Sequence, residues 1–199
     1  MKKIFVLFCA SILFILPKVS NGFELGGGLT FHSYFSSSET RTIVNAKNDL
    51  ARGFYIFGYL QESKFILDTE LGGSYARKVV IIAPGNYYKK TVLSEYTAML
   101  RRTLVDSPSF KLRWLGGLGI AEYLLETGLQ EGIAAPTEKV QTKSVYAPHV
   151  KTAGNFTYYF GSHGIFAELG LDILLADKVD GLTINGNGWE LNFGYSYSF

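Results

Sequence analysis

From Trp189 to Phe199 the odd positions hold Trp189, Leu191, Phe193, Tyr195, Tyr197 and Phe199, and the even positions hold Glu190, Asn192, Gly194, Ser196 and Ser198. A period of two without exception describes a β-strand with one apolar and one polar face. A strand of this kind cannot stand alone, because each edge exposes unpaired backbone N–H and C=O groups. As the segment that runs to Phe199, it is expected to close a sheet built by the rest of the chain.

The N-terminal segment points to export. Lys2 and Lys3 precede an apolar run from Ile4 to Leu16, and Ser20-Asn21-Gly22 offers small residues for cleavage. That is the layout of a secretory signal peptide, and the run is shorter than the ~20 residues of a spanning helix. Residues 1–22 are therefore expected to be cleaved, leaving residues 23–199 as one domain. The only cysteine, Cys9, lies inside the apolar run, so disulfide, thiol and Cys-metal chemistry are excluded from the mature chain. Removing Lys2, Lys3 and Lys18 leaves 16 basic residues against 17 acidic ones, a net charge of −1 that gives no footprint for nucleic acid.

Seven upstream segments also alternate. They lie at about 23–35, 50–60, 65–82, 92–104, 110–120, 144–160 and 165–173, and polar or Gly/Pro-bearing stretches separate them. The segment at 50–60 is ambiguous, because Phe54 and Ile56 lie on one face and Tyr55, Phe57 and Tyr59 on the other. Pro148 weakens the upper part of the sixth segment as a paired strand. Connections alternate in length. Those near 61–64, 106–109 and 161–164 are short, whereas those near 36–48, 83–90, 126–143 and 176–188 are longer. Eight alternating segments with this rhythm predict an all-β fold: a closed, antiparallel, up-and-down barrel that crosses a membrane, with short turns on one side and longer loops on the other. In hydrocarbon every backbone polar group needs an internal partner, so the last strand must pair with the first. Gly26-Gly27-Gly28 would ease close approach at that seam, although a bulge or simple flexibility accounts for them equally well.

The terminal residues Tyr195, Tyr197 and Phe199 resemble the C-terminal signature of Gram-negative outer-membrane β-barrels, and the whole pattern resembles the small barrels of the outer-membrane protein A, X and W kind. The resemblance implies that these three residues also serve as an assembly signal read by the barrel-assembly machinery. It implies a bacterial outer-membrane location and contacts with outer-membrane lipids and lipopolysaccharide. Loops at the cell surface would be available to a ligand. The chain stops at the barrel, so the peptidoglycan-binding role of outer-membrane protein A is not implied.

On the faces expected to line the lumen lie Asp68, Glu70, Glu95, Arg101, Lys111, Arg113, Lys151, Glu168, Asp172 and Glu190. An eight-stranded barrel is just wide enough for side chains to fill it, so these charges are expected to form a paired plug. A narrow polar path for ions or small solutes, a porin-like role, is the rival reading. Tyr55, Tyr59, Trp114, Tyr158 and Trp189 are expected to face outward at the membrane interfaces. His32 with Ser33 and the serines at 36–38, or His149, could serve a lipid-modifying hydrolase or acyltransferase, but no nucleophile elbow or comparable spacing is present. With His163 the histidines are scattered along the chain, so neither a metal nor a cofactor is expected. The leading expectation is a non-enzymatic outer-membrane barrel with a structural or surface-interaction role through its loops.

Overall fold

The computed structural model describes residues 22–35, 50–60, 69–82, 87–129, 141–175, 178–179, 182–183 and 187–199. Eight barrel strands follow one another: β1 Phe23–Tyr34, β2 Leu50–Leu60, β3 Glu70–Ile82, β4 Tyr87–Asp106, β5 Phe110–Leu129, β6 Gln141–Phe160, β7 His163–Leu174 and β8 Gly188–Ser198. Each pairs antiparallel with its neighbours in sequence, and β8 pairs with β1, so the sheet closes. A two-residue ladder, Lys178–Val179 with Leu182–Thr183, lies between β7 and β8. The segment expected to be a signal peptide lies outside the described residues except for Gly22, as does Asp68.

Closure runs from Glu24 opposite Ser198 to Tyr34 opposite Gly188. Near its midpoint Gly28 faces Gly194, and a Cβ on Gly28 would lie 2.0 Å from the Phe193 carbonyl oxygen. Close backbone approach at the seam therefore requires glycine on both strands. The tight turn at the other end of β7 uses Gly161, whose φ of +71° is one that L side chains rarely adopt.

The alternation sorts side chains inside out relative to a water-soluble protein. Leu25, Leu29, Leu118, Ile165, Leu169 and Ile173 point outward and are exposed. Glu24, Lys78, Glu95, Arg101, Lys151 and Glu190 point inward and are buried. The wall is uneven in height. β4, β5 and β6 each run 20 residues, whereas β1, β2, β7 and β8 run 11 or 12. At about 3.3 Å per residue the extra length carries one side of the sheet some 25 Å farther along the strand direction. β6 keeps its pairing to β5 straight through Pro148, which faces Ile120. Pairing to β7 begins only at His149, so the missing N–H of Pro148 falls where the β7 partner has ended, and its carbonyl accepts from Leu175 N at 2.9 Å.

β2 corrects one expectation. Tyr55 and Tyr59 do not face outward; with Phe57 they point into the lumen, at 0%, 1% and 4% exposure. Phe54 and Ile56 take the outward face. The reason lies on β1. Glu24 opposes Tyr59, Gly26 opposes Phe57 and Gly28 opposes Tyr55, and opposite residues share a face. The inward glycines leave room for the rings: a Cβ on Gly26 would meet the Phe57 ring at 2.3 Å. Trp114, Tyr158 and Trp189 are exposed on the outward face.

Candidate functional site in the barrel lumen

The lumen side chains stack in three layers. Nearest the end that carries the short turns, Glu24 on β1 receives Arg101 at 2.8 Å and Arg113 at 3.4 Å. Arg101 also binds Glu70 at 2.5 Å. Arg113 donates to Tyr159 Oη at 2.5 Å, and Tyr159 Oη donates to Glu24 at 3.0 Å. Two carboxylates thus meet two guanidiniums, and the geometry closes on itself. Lys111 lies at the rim of this layer and pairs with the exposed Asp106 at 3.5 Å.

The middle layer is aromatic. Phe57 meets Phe166 edge to face with centroids 5.1 Å apart, and Tyr55, Tyr59, Met99 and Leu115 pack around them. Each of these side chains is at most 4% exposed. The rings also cover cations from the charged layers on either side. The Arg101 guanidinium sits 4.0 Å from the Tyr59 ring centroid, and the Lys151 ammonium 4.6 Å from that of Tyr55.

The third layer lies toward the loop end. Lys78 on β3 donates to both oxygens of Glu95, at 2.8 and 2.7 Å, and also binds Glu190. It approaches His32 Nδ1 at 3.2 Å. Lys151 binds Glu190 as well, and lies 3.2 Å from Glu168. Asn192 donates to Glu168 at 3.0 Å and to Glu190 at 2.7 Å, and Tyr55 Oη donates to Glu168 at 3.4 Å. His149 lies 3.0 Å from Asp172 through Nδ1 and 3.0 Å from the Thr97 hydroxyl through Nε2. Gly119, opposite both Thr97 and His149, admits this contact, since its Cβ would lie 2.3 Å from His149 Nε2.

Of the residues expected to line the lumen, Glu95, Arg101, Arg113, Lys151, Glu168, Asp172 and Glu190 are buried inside it, Glu70 is half-buried, and Lys111 lies at the rim. The network also contains Lys78, Glu24, His32 and His149, which the reading of charges along strands did not place there. The two histidines are not separated by the barrel, as strand order alone suggests. They enter the same layer from β1 and β6, because a lumen this narrow brings non-adjacent strands together. His163 stays apart, exposed at the start of β7, where its ring contacts Phe160 and Tyr195.

Two arrangements in the third layer have chemical meaning. His32, Glu95, Asp172 and Glu190 each bring one potential ligand atom within 4.8 Å of the others. The Lys78 ammonium already binds Glu95 and Glu190, however, and so holds the position a cation would take. Thr97, His149 and Asp172 have the hydroxyl–imidazole–carboxylate order of an activated nucleophile. The Thr97 hydroxyl faces the charged layer, and its residue is only 6% exposed.

No protein-family model and no curated protein matches this chain. Solved structures do. Neisserial surface protein A aligns with a TM-score of 0.55 at 17% identity, over 90% of this chain and 100% of that one. Ail, the attachment invasion locus protein of Yersinia pestis, aligns at 0.54 and 13% identity, over 89% and 98%. The outer membrane protein OprG from Pseudomonas aeruginosa aligns at 0.50 and 12% identity, over 89% and 95%. The likeness is one of architecture, and with the closed meander described above it gives the chain the fold of the small eight-stranded outer-membrane barrels.

Proposed function

We propose that this chain is an integral outer-membrane barrel, exported by its N-terminal segment, that is plugged rather than porous and acts through the surface it presents at the loop end. The observation that carries the reading is the inverted packing, with exposed aliphatic and aromatic side chains around the outside and buried ion pairs within. Water would penalise the first and hydrocarbon would penalise charges placed on that face, so only a bilayer suits both. Tyr195, Tyr197 and Phe199, on β8 and at its end, are suited to an assembly signal. Heat-modifiable migration on a gel, with fractionation into outer membrane, tests the reading; extraction as a soluble protein would overturn it.

The raised wall of β3 to β6 supports a role at the surface, because it carries backbone beyond the height of the other strands. An epitope inserted between Glu131 and Gly132 is expected to bind antibody on intact cells, whereas one inserted between Ser162 and His163 is expected to be silent until the outer membrane is opened.

A lipid-modifying enzyme is the second reading, and the Thr97–His149–Asp172 alignment is the observation in its favour. Burial counts against it, since an acyl carbonyl would have to come within about 3–3.5 Å of the hydroxyl. Overexpression is expected to leave lipid A mass spectra unchanged. A mass change that Thr97→Val abolishes would revive the enzyme.

A further inference from the structure

Nearly every charge described inside the barrel has a partner among the described residues, whereas on the outward face two neighbouring arginines have none there. Arg52 on β2 and Arg77 on β3 are exposed, and no carboxylate among the described residues pairs with either. They are near neighbours. Arg77 lies directly opposite Phe54, and Arg52 is two residues before Phe54 on the same face. Such a diagonal pair is about 7–8 Å apart, within joint reach of one phosphate or of two phosphates on one headgroup.

Their surroundings are graded as a membrane interface is graded. Toward the turn end, the next outward side chains on the same strands are Phe54 and Tyr75, whose rings lie 5.7 Å apart, and Tyr75 continues the aromatic run to Tyr96 at 5.0 Å. Beyond them come Ile56 and Leu71. Charge, aromatic ring and aliphatic chain thus follow one another down the wall, as headgroup, interface and acyl chain do in a bilayer.

An apolar hollow adjoins the pair. Arg52 lies opposite Phe31 on β1, and Phe31 is one wall of an outward hollow of about 370 Å³ whose lining also includes Leu50, Leu169, Trp189, Leu191 and Phe193. The hollow is continuous with the exposed apolar belt, which in the reading above faces hydrocarbon.

We propose that Arg52, Arg77 and this hollow form a docking site for a phosphate-bearing membrane lipid. The two guanidiniums would hold the phosphate through charge-assisted, fork-shaped hydrogen bonds, and one acyl chain would lie along the hollow across the β1–β8 seam. The site rests on the barrel being in a membrane. It accounts for arginines that stand at the edge of an apolar belt without a counter-ion among the described residues: the lipid supplies the anion.

The test uses the full-length mature protein inserted in phosphatidylcholine nanodiscs doped with a minority of long-chain phosphatidic acid, with bound lipid counted by native mass spectrometry. Retained phosphatidic acid is expected to exceed its share in the bilayer by about tenfold, and R52Q/R77Q is expected to bring it to parity. R102Q removes the exposed outward cation of β4 near the turn end and should leave retention unchanged. If the double variant does not give a heat-modifiable band, R52Q and R77Q alone carry the test, each losing part of the preference. Equal retention by wild type and the arginine variants would overturn the proposal, as would an equal loss in R102Q. Displacement by millimolar inorganic phosphate, or equal retention of a six-carbon-chain phosphatidic acid, would also overturn it by reducing the site to an ion contact. Failure to insert into phosphatidylcholine at all would sink the membrane reading. Insertion without lipid preference would sink only the site.

Discussion

Lys78 holds the loop-end layer together. Its ammonium binds Glu95 and Glu190 and touches His32, which brings three strands other than its own to one point. Replacing it with methionine keeps the volume, leaves Glu95 buried without its cation and leaves Glu190 with Lys151 alone. Lys78→Met is therefore expected to cost roughly 3–5 kcal/mol, read as a lower urea midpoint for unfolding from micelles. Lys111→Ala removes the rim pair with Asp106 and a long cation–ring contact with Tyr159, 6.0 Å to the centroid, and should change stability by less than about 0.5 kcal/mol in the same assay. The residue scale also shows where sequence reading stops. Glu70, Glu95 and Glu190 could be placed inside because apolar neighbours one residue away fixed the outward face. Lys78 follows Arg77, and two adjacent charges give no alternation to say which one goes in. Glu24 and His32 sit on the polar face of β1, but glycines fill much of that face and conceal it as lumen lining.

Two elements decide whether the barrel closes and whether it is filled. β2 is rich in aromatics on both faces, so its hydrophobic pattern carries no orientation; its register with β1 supplies it through Gly26 and Gly28. The cue available in the sequence is volume rather than polarity, since small inward residues on one strand call for large ones on the next. Phe57→Ala would vacate the space beside Phe166 and is expected to cost roughly 3–5 kcal/mol, measured by the same denaturation. β8 was legible throughout because its two faces never mix. Its fit to β1 depends on Gly28 and Gly194, and a valine at either position would drive Cβ into the carbonyl oxygen of the facing strand. Gly28→Val is expected to abolish the fast-migrating folded band on unheated gels.

For the molecule as a whole, the layering predicts electrical silence. An aromatic partition lies between two charged layers, so the wild-type protein in a planar bilayer should give no reproducible single-channel steps. The double variant Phe57→Ala/Phe166→Ala removes the two rings that meet within the partition while keeping the ion pairs on both sides, and it is the variant in which steps should first appear. Regular steps from the wild type would contradict the filled lumen directly.

The β1–β8 seam has a consequence for the order of events during folding. Glu24 pairs with Ser198, so the contacts that complete the ring join the most distant parts of the described chain. The entropy of closing that loop must be met before its hydrogen bonds form, whereas the β4–β5 and β6–β7 hairpins, joined by short turns, form from near neighbours. Local hairpins should therefore gain protection from hydrogen exchange early, and the backbone amides of β1 and β8 should gain it last and together. The barrel has no partly closed form in which both of these strands are satisfied, so the seam acts as the timing step that converts a sheet with two open edges into a ring with none.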